Sequence, residues 1–356
     1  MQQLLAFVVL FVSFDAFPLQ GQELDPVAPT SAQDSLLDAG IAFYDKGLYD
    51  EAIAAYVSIL QENPANVAAL AELSMTYLAK EDYANTIKHA LEGLKYRSNY
   101  RAHLFLTLGN GYDMVGKSAE AISAYRAGLD VKPGDYMLHY NVGLAYYRSS
   151  DLQGARQHFH SALRARPSHA SSHLALGHVY RAMKKRIPAI FAYSRFLVLE
   201  PNSGRSAGVA KTLRYFLSDS LSVRVSGPNE RTVTVAPDSD QVDGDLTVLA
   251  LSLAMTQAAR IERDSTYSSP LGAITSDLAD LFQITLELMA NERAAGFCWE
   301  YYAPYFAAIQ HRGLTDVFVH FIFRSLEGDG VPAHVKTDLD KEQEFKNWSA
   351  SYKWPE

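Results

Sequence analysis

The chain has 356 residues, of which 48% are hydrophobic and 20% are charged, and its formal net charge is −8 at pH 7. This composition is too apolar for a disordered chain, and the length favours about two domains with buried cores. Because the chain is acidic overall, nucleic acid is not expected as a partner. The single cysteine, Cys298, can form no intramolecular disulfide, and its aromatic neighbours indicate a buried thiol.

The N-terminus contains an apolar run from Leu4 to Phe14. Its length is typical of the hydrophobic region of a signal peptide and is too short to span a bilayer. We therefore predict a signal peptide over residues 1–21, with an amphipathic or buried N-terminal segment as the alternative. Since no other stretch approaches 18 consecutive apolar residues, the mature chain is expected to have no integral membrane segment. The signal peptide predicts that the chain is exported and is either periplasmic or secreted.

From residue 33 to residue 203 the same residue types recur at intervals of about 34 residues. The best-preserved copy contains a glycine, an aromatic residue, an alanine, a second aromatic residue and a closing proline, at Gly143, Tyr146, Ala155, Phe159 and Pro167. Two apolar stripes at helical spacing, separated by a polar turn, predict a helix hairpin in every copy. The predicted units are 33–66, 67–100, 102–135, 136–169 and 170–203, of which the second is degenerate.

This pattern resembles the tetratricopeptide repeat. The resemblance implies a mainly all-α solenoid, in which hairpins stack into a right-handed superhelix because no hairpin can bury its apolar faces alone. It also implies binding of a protein or peptide partner, although the same repeat serves many binding roles. Residues 204–219 are positioned as a capping helix that covers the fifth repeat with Val209, Leu213, Phe216 and Leu217.

The sequence changes character after the predicted cap. In residues 220–245, valines alternate with polar residues around a Gly-Pro-Asn-Glu turn, which predicts a short β-hairpin or an extended linker and a domain boundary. Helical periodicity returns in residues 246–356, which we expect to form a compact helical C-terminal domain rich in aromatic residues. A degenerate array of helix pairs is an alternative for this domain, and its last residues form either a short helix or an irregular tail.

No catalytic, metal or cofactor site is predicted. His158 and His160 are two residues apart, so they point to nearly opposite faces of a helix and cannot bind one metal ion. His139 and His173 share a repeat position that normally packs between helices. The sequence lacks a G-x-S-x-G elbow, a P-loop and a G-x-G-x-x-G motif, and a non-enzymatic protein without a cofactor is therefore expected.

The concave groove is the candidate binding site. In the tetratricopeptide family, positions two, five, six, nine, twelve and thirteen of each unit line this groove, and the resemblance transfers these positions to this chain. The residues with the most binding potential are His103, Asn110, Tyr140, Asn141, Leu144, Tyr147, Arg148, His178 and Arg181. The two asparagines are suited to hydrogen bonds with an extended peptide backbone, and the tyrosines supply rigid contact area.

Charge is distributed unevenly along the predicted groove. Its N-terminal end is acidic and its C-terminal end is basic. The acidic positions are Asp34, Asp38, Asp45 and Glu72. Leu37 and Ile41 occupy the positions where chaperone-binding relatives clamp a peptide carboxylate, so this clamp is not expected here.

The expected function is a non-enzymatic, exported scaffold that binds a protein or peptide in the groove and resembles envelope-assembly or secretion accessory proteins. The alternative is that the repeats present a C-terminal ligand-binding or enzymatic module, which a deep polar pocket among Glu300, Tyr301, His311 and His320 would favour. A third possibility is a groove filled by the chain's own C-terminal domain.

Overall fold

The computed structural model describes residues 23–218, 222–227, 230–234, 243, 245–262, 270–290, 295–326 and 339–355. The predicted signal peptide lies outside these residues. Eleven helices lead from the first repeat to the predicted cap: α1 (Ser31–Asp45), α2 (Tyr49–Glu62), α3 (Val67–Ala79), α4 (Tyr83–Gly93), α5 (Arg101–Met114), α6 (Ser118–Val131), α7 (Tyr136–Arg148), α8 (Leu152–Ala165), α9 (Ala170–Ala182), α10 (Arg186–Leu199) and α11 (Ser206–Ser218).

Two strands, β1 (Ser222–Gly227) and β2 (Glu230–Thr234), follow and pair antiparallel, with Val223 opposite Val233. The remaining helices are α12 (Thr247–Glu262), α13 (Pro270–Ala290), α14 (Ala303–His311), α15 (Thr315–Phe323) and α16 (Leu339–Ser351). A π-helical turn, Cys298–Tyr302, precedes α14, and a 3-10 turn, Arg324–Leu326, follows α15. The prediction of a mainly all-α helix-hairpin solenoid is confirmed.

Glycines allow the two helices of a repeat to pack closely. In the third repeat, Gly109 on α5 lies directly against the ring of Tyr125 on α6, and a Cβ atom at this glycine would overlap the ring carbons. Gly40 faces Tyr56 in the same way in the first repeat. Both tyrosines are at most 1% exposed, so the glycine and the aromatic ring form the contact between the helices, as the repeat pattern predicts.

Each turn between the two helices of a repeat contains one residue with a left-handed backbone. These residues occupy equivalent repeat positions, with φ between 60° and 77°, at Gly47, Glu81, Gly116, Ser150 and Lys184. Only two of them are glycine, the residue that adopts this conformation without steric strain. The turn geometry is therefore constant along the repeats, although its residue type is not.

The chain divides into two compact units, Met1–Ala145 and Tyr146–Glu356. In the first unit, a short segment before α1 packs on the repeats. The backbone of Leu24 pairs with the linker that follows α4, through Leu24 N–H to Lys95 O at 2.9 Å and Arg97 N–H to Leu24 O at 2.9 Å. Arg101 also forms a 3.1 Å ion pair with Glu23, so the chain is fixed from the first described residue.

In the second unit, the C-terminal residues share one core with α8, α9 and α10. Phe191 of α10 stacks on Phe306 with ring centroids 4.8 Å apart, and His160 of α8 stacks on Phe297 at 3.6 Å. Arg195 is 3% exposed and donates hydrogen bonds to Tyr305 at 3.1 Å and Ser349 at 2.9 Å. The compact units thus divide at a different place from the predicted linker, because the late helices complete the core of the last repeats.

The helix predicted as a cap, α11, packs on the fifth repeat. Val209, Leu213 and Leu217 of α11 are buried, and Phe216 stacks on Tyr193 of the fifth repeat with ring centroids 6.3 Å apart. No helix within the described ranges is long and apolar enough to cross a membrane.

Candidate peptide-binding groove

An asparagine pair lies at the centre of the predicted groove in the first unit. Tyr125 donates a 2.8 Å hydrogen bond to Asn110 Oδ1, and Asn141 Nδ2 donates a second bond of 3.0 Å to the same oxygen. The two bonds fix the Asn110 amide and leave its Nδ2 without a partner among the described residues. Asn141 Oδ1 likewise has no described partner, so the pair keeps one donor and one acceptor, which are the groups that pair with a peptide unit.

A pocket of about 330 Å³ adjoins this pair on the side of the second repeat. Its lining combines apolar side chains with the asparagine amide and two carboxylates, and consists of Leu78, Ala79, Glu81, Tyr83, Asn110, Asp113 and Met114. Met114 is 59% exposed. An exposed apolar side chain beside a polar anchor is suited to hold one side chain of an extended ligand.

The other predicted groove residues of the first unit have weaker indications of a binding role. His103, Tyr140 and Leu144 are half-buried. Burial lowers the pKa of His103, although Asp135 acts in the opposite direction, so the imidazole is neutral at neutral pH. The assignment of these three side chains to the binding site stays a prediction.

Within the second unit, several predicted groove residues interact with Tyr193. His178 Nδ1 lies 2.9 Å from the Tyr193 hydroxyl. Burial raises the pKa of Tyr193, with Arg181 lowering it and Tyr147 raising it. Burial and Arg181 lower the pKa of His178. Arg148 and Arg181 are exposed, so this part of the groove surface carries positive charge at neutral pH.

A second pocket, of about 350 Å³, lies between the fifth repeat and α11. It is lined by Leu174, His178, Tyr193, Arg205, Gly208, Val209 and Thr212. The cap therefore forms one wall of a cleft while it covers the apolar end of the repeats.

Two acidic groove residues, Asp45 of the first repeat and Glu72 of the second, interact electrostatically. Burial and the Asp45 carboxylate raise the pKa of Glu72. Burial, followed by the charges of Glu72 and Asp45, also raises the pKa of Tyr56. The Tyr56 hydroxyl is buried and has no hydrogen-bond partner in the described part of the chain.

The C-terminal residues contact α8, α9 and α10 of repeats four and five. Tyr301 donates a 3.1 Å hydrogen bond to Leu163 O of α8, and Arg195 of α10 bonds Tyr305. His173 is 0% exposed and fixed by two partners. Its Nε2 donates to Pro167 O at 2.9 Å, so Nδ1 accepts from Tyr302 at 2.7 Å. These contacts explain the histidine as a core residue.

The four residues suggested for a C-terminal pocket occupy different environments. Tyr301 is 1% exposed and packs among aromatic rings, whereas Glu300 and His311 are exposed. His320 Nδ1 lies 2.7 Å from the Asp316 carbonyl of its own helix. The region around Tyr301 is therefore a filled aromatic core. Cys298 is a buried free thiol, as predicted.

Sequence reasoning missed the hydroxyl groups of the repeat tyrosines. The repeat pattern identifies Tyr56, Tyr125 and Tyr193 as packing residues of the second helix. The hydroxyls of Tyr125 and Tyr193 also reach Asn110 and His178 at groove position nine. The signal was available in the repeat alignment, since a polar residue stands at position nine where the tyrosine has a partner. The described residues hold no group of three or more histidine, cysteine, aspartate or glutamate side chains that could bind a metal ion.

Residues 37–100 and 106–170 match the family model described as Tetratricopeptide repeat. Two curated relatives match a third of the chain. General transcriptional corepressor trfA of Dictyostelium discoideum is 27% identical over 120 residues, covering 33% of this chain and 9% of that protein. General transcriptional corepressor ssn6 of Schizosaccharomyces pombe is 29% identical over 121 residues, covering 33% and 11%. The chain thus spans about a tenth of the length of these relatives.

Several solved structures are similar to about half of the chain. MamA is 22% identical, covers 46% of this chain and 94% of its own, and has a TM-score of 0.41. PilF of Pseudomonas aeruginosa is 18% identical, with coverages of 52% and 86% and a TM-score of 0.47. TTC0263 of Thermus thermophilus, described as a thermophilic TPR protein, is 21% identical, with coverages of 52% and 98% and a TM-score of 0.43.

The helix hairpins and the family match agree over residues 37–170. The chain carries tetratricopeptide repeats in a helical solenoid. Proteins of this class bind protein or peptide partners, and the fold is generally that of a non-enzymatic scaffold.

Proposed function

We propose that the chain is a non-enzymatic scaffold that binds an extended segment of a partner protein in its groove. The observation that carries this proposal is the Asn110–Asn141 pair, which is held in place by Tyr125 and has one donor and one acceptor without a partner in the described ranges. An extended peptide presents an N–H and a C=O from each residue, and a fixed amide pair can satisfy both. The adjoining pocket supplies apolar contact for a neighbouring side chain.

The groove pair can be tested without knowing the natural partner. Peptides selected from a random 12-residue library on the purified chain provide ligands of measurable affinity. Asn141→Ala together with Tyr140→Ala is expected to weaken them about tenfold or more, because a backbone hydrogen bond and an aromatic contact are lost. Gln61→Ala, which removes an exposed amide on α2, is the matched control. Selected peptides that bind both variants as tightly as the unmodified chain would contradict the proposal.

Export is the second part of the proposal, with a role in envelope assembly or secretion. The apolar run Leu4–Phe14 supports it. Cleavage near Gly21 leaves Glu23 and Leu24 in the mature chain, so the contacts of this segment with Arg101 and Lys95 are retained. Expression of the full chain in a Gram-negative host, followed by mass determination of the periplasmic protein, is expected to show loss of residues 1–21. An intact N-terminus on cytoplasmic protein would contradict export.

For residues 246–356, we propose a supporting role rather than a separate enzymatic one. The supporting observation is that Tyr302, Tyr305 and Phe306 are all buried against the fifth repeat. We propose that this segment stiffens the outer helices of the last repeats and so preserves the shape of the groove surface on α9.

A further inference from the structure

The groove positions of the first two repeats are acidic and contain no lysine or arginine. The acidic residues are Asp34, Asp38, Asp45 and Glu72. Glu72 is half-buried, and burial, followed by the charge of Asp45, raises its pKa. Neither has a salt bridge within the described part of the chain. Repulsion between two neighbouring carboxylates without a counter-ion lowers the stability of the folded chain, and a bound cation removes this repulsion.

A second, independent observation comes from Tyr56, which is 0% exposed. The equivalent tyrosines of the third and fifth repeats, Tyr125 and Tyr193, bond the polar residue at groove position nine. The first repeat has Ile41 at that position, which offers neither a donor nor an acceptor. The buried Tyr56 hydroxyl therefore has no partner among the described residues, whereas buried hydroxyls in folded proteins are normally paired.

The unpaired hydroxyl lies beneath the acidic groove surface. Asn141, which follows Asn110 by 31 residues, bonds it beside the Tyr125 hydroxyl. Glu72 follows Ile41 by the same interval and is the equivalent residue beside the Tyr56 hydroxyl, on which Glu72, Asp45 and Tyr44 act electrostatically. Glu72 and Tyr44 are half-buried at groove positions of these two repeats. We call Tyr44, Asp45, Tyr56 and Glu72 the acidic site.

We propose that the acidic site binds the lysine or arginine side chain of a partner segment that lies in the groove. The two carboxylates supply the counter-charge, the Tyr44 ring offers a face to the cation, and the Tyr56 hydroxyl accepts a hydrogen bond from the ammonium or guanidinium group. A metal ion suits the site less well, because Ca²⁺ takes six to eight oxygen ligands and the site has two carboxylates. This inference rests on the proposed function, since it identifies one side chain of the peptide that the groove binds.

The site can be tested with small cations on the full chain. Nα-acetyl-lysine amide and Nα-acetyl-arginine amide are expected to shift the methyl NMR signals of Ile41 and Met75, which occupy neighbouring groove positions. Nα-acetyl-norleucine amide, which is neutral, is expected to cause no shift. Glu72→Gln and Tyr56→Phe are expected to weaken the cationic compounds, Glu72→Gln by about tenfold. Glu51→Gln, an equal charge change at an exposed position of α2, is expected to leave their affinity unchanged.

The proposal would be overturned if the neutral compound shifted the methyl signals as much as the cationic compounds do, or if Glu72→Gln bound the cationic compounds with unchanged affinity. It would also be overturned if the only compound that bound were norleucine amide with a free α-amino group. That result would assign the site to a peptide N-terminus. Peptides selected on the chain separate this inference from the proposed function. Peptides that depend on Asn141 but lack lysine and arginine, and bind Glu72→Gln normally, refute the acidic site alone. Cation binding that depends on Glu72, in a chain that selects no peptides, supports the site and refutes the peptide-binding function.

Discussion

Removal of a single hydroxyl group should have opposite effects in two equivalent repeats. Tyr56 and Tyr125 occupy the same repeat position, are at most 1% exposed, and pack their rings on Gly40 and Gly109. Substitution by phenylalanine keeps each ring and its contacts, so only the hydroxyl is removed. The Tyr125 hydroxyl donates a 2.8 Å hydrogen bond to Asn110, whereas the Tyr56 hydroxyl is buried without a partner.

The expected magnitudes follow from these environments. Tyr125→Phe loses one hydrogen bond, which contributes about 1 kcal/mol to the free energy of unfolding. Tyr56→Phe removes a desolvated polar group, whose burial without a partner costs about 1–3 kcal/mol. We therefore expect Tyr125→Phe to destabilise the chain by about 1 kcal/mol and Tyr56→Phe to stabilise it by about 1–3 kcal/mol.

Urea unfolding monitored by circular dichroism measures this difference, provided that both variants keep the m-value of the unmodified chain. Tyr215→Phe, at a side chain that is 54% exposed, controls for the loss of a hydroxyl at the surface. If Tyr56→Phe destabilised the chain as much as Tyr125→Phe, the Tyr56 hydroxyl would have a partner in the folded protein. The acidic site would then need no external hydrogen-bond partner for Tyr56.

Three further changes test the packing and the buried charges. Gly109→Ala is expected to lower the free energy of unfolding by about 1–3 kcal/mol, because its methyl group overlaps the facing tyrosine ring, while Gly134→Ala, which meets no atom within 4 Å, should be nearly neutral in the same urea titration. Burial and, secondarily, Arg195 lower the pKa of His173 to about 3 in the folded chain. As the pH falls below about 6.5, this histidine is therefore protonated in the unfolded chain before it is protonated in the folded chain. Above that pH, titration of His173 does not reduce the free energy of unfolding. At pH 5 it should reduce the free energy of unfolding by about 2 kcal/mol, and this reduction should be absent from His173→Gln. Trp354→Ala, which removes a ring stacked on Tyr305 at 5.0 Å, should cost about 2 kcal/mol in thermal or urea unfolding, whereas equal loss from Lys353→Ala at the exposed neighbouring position would refute a specific role of the ring.

The repeats could be predicted from sequence because their determinants are local. A glycine and an aromatic residue 16 positions later, as in Gly109 and Tyr125, fix the approach of two helices that adjoin in the chain. The cap was predictable for the same reason, since α11 directly follows the last repeat. The groove positions of Asn110 and Asn141 followed from the repeat frame, but the 3.0 Å bond between them did not, because position alone does not fix side-chain conformation.

The packing of the C-terminal residues was beyond sequence reasoning. His173 and Tyr302 are 129 residues apart, and Arg195 and Ser349 are 154 apart. No periodicity in a single sequence relates such distant residues. No local sequence pattern predicts the π-helical turn that places Tyr301 and Tyr302 side by side either. The sequence therefore indicated an aromatic core but not that this core packs on α8, α9 and α10.

The central claim is that a partner segment lies in the groove formed by the first helices of the repeats. A library-selected peptide with a photo-crosslinking residue, irradiated on the full chain and analysed by mass spectrometry, locates the bound segment directly. Adducts are predicted on groove residues of α3, α5 and α7, chiefly Leu78, Met114 and Tyr140, and are expected to disappear with excess unlabelled peptide. Adducts confined to the second helices α2, α4 and α6 would place the segment on the opposite helix layer and contradict the account.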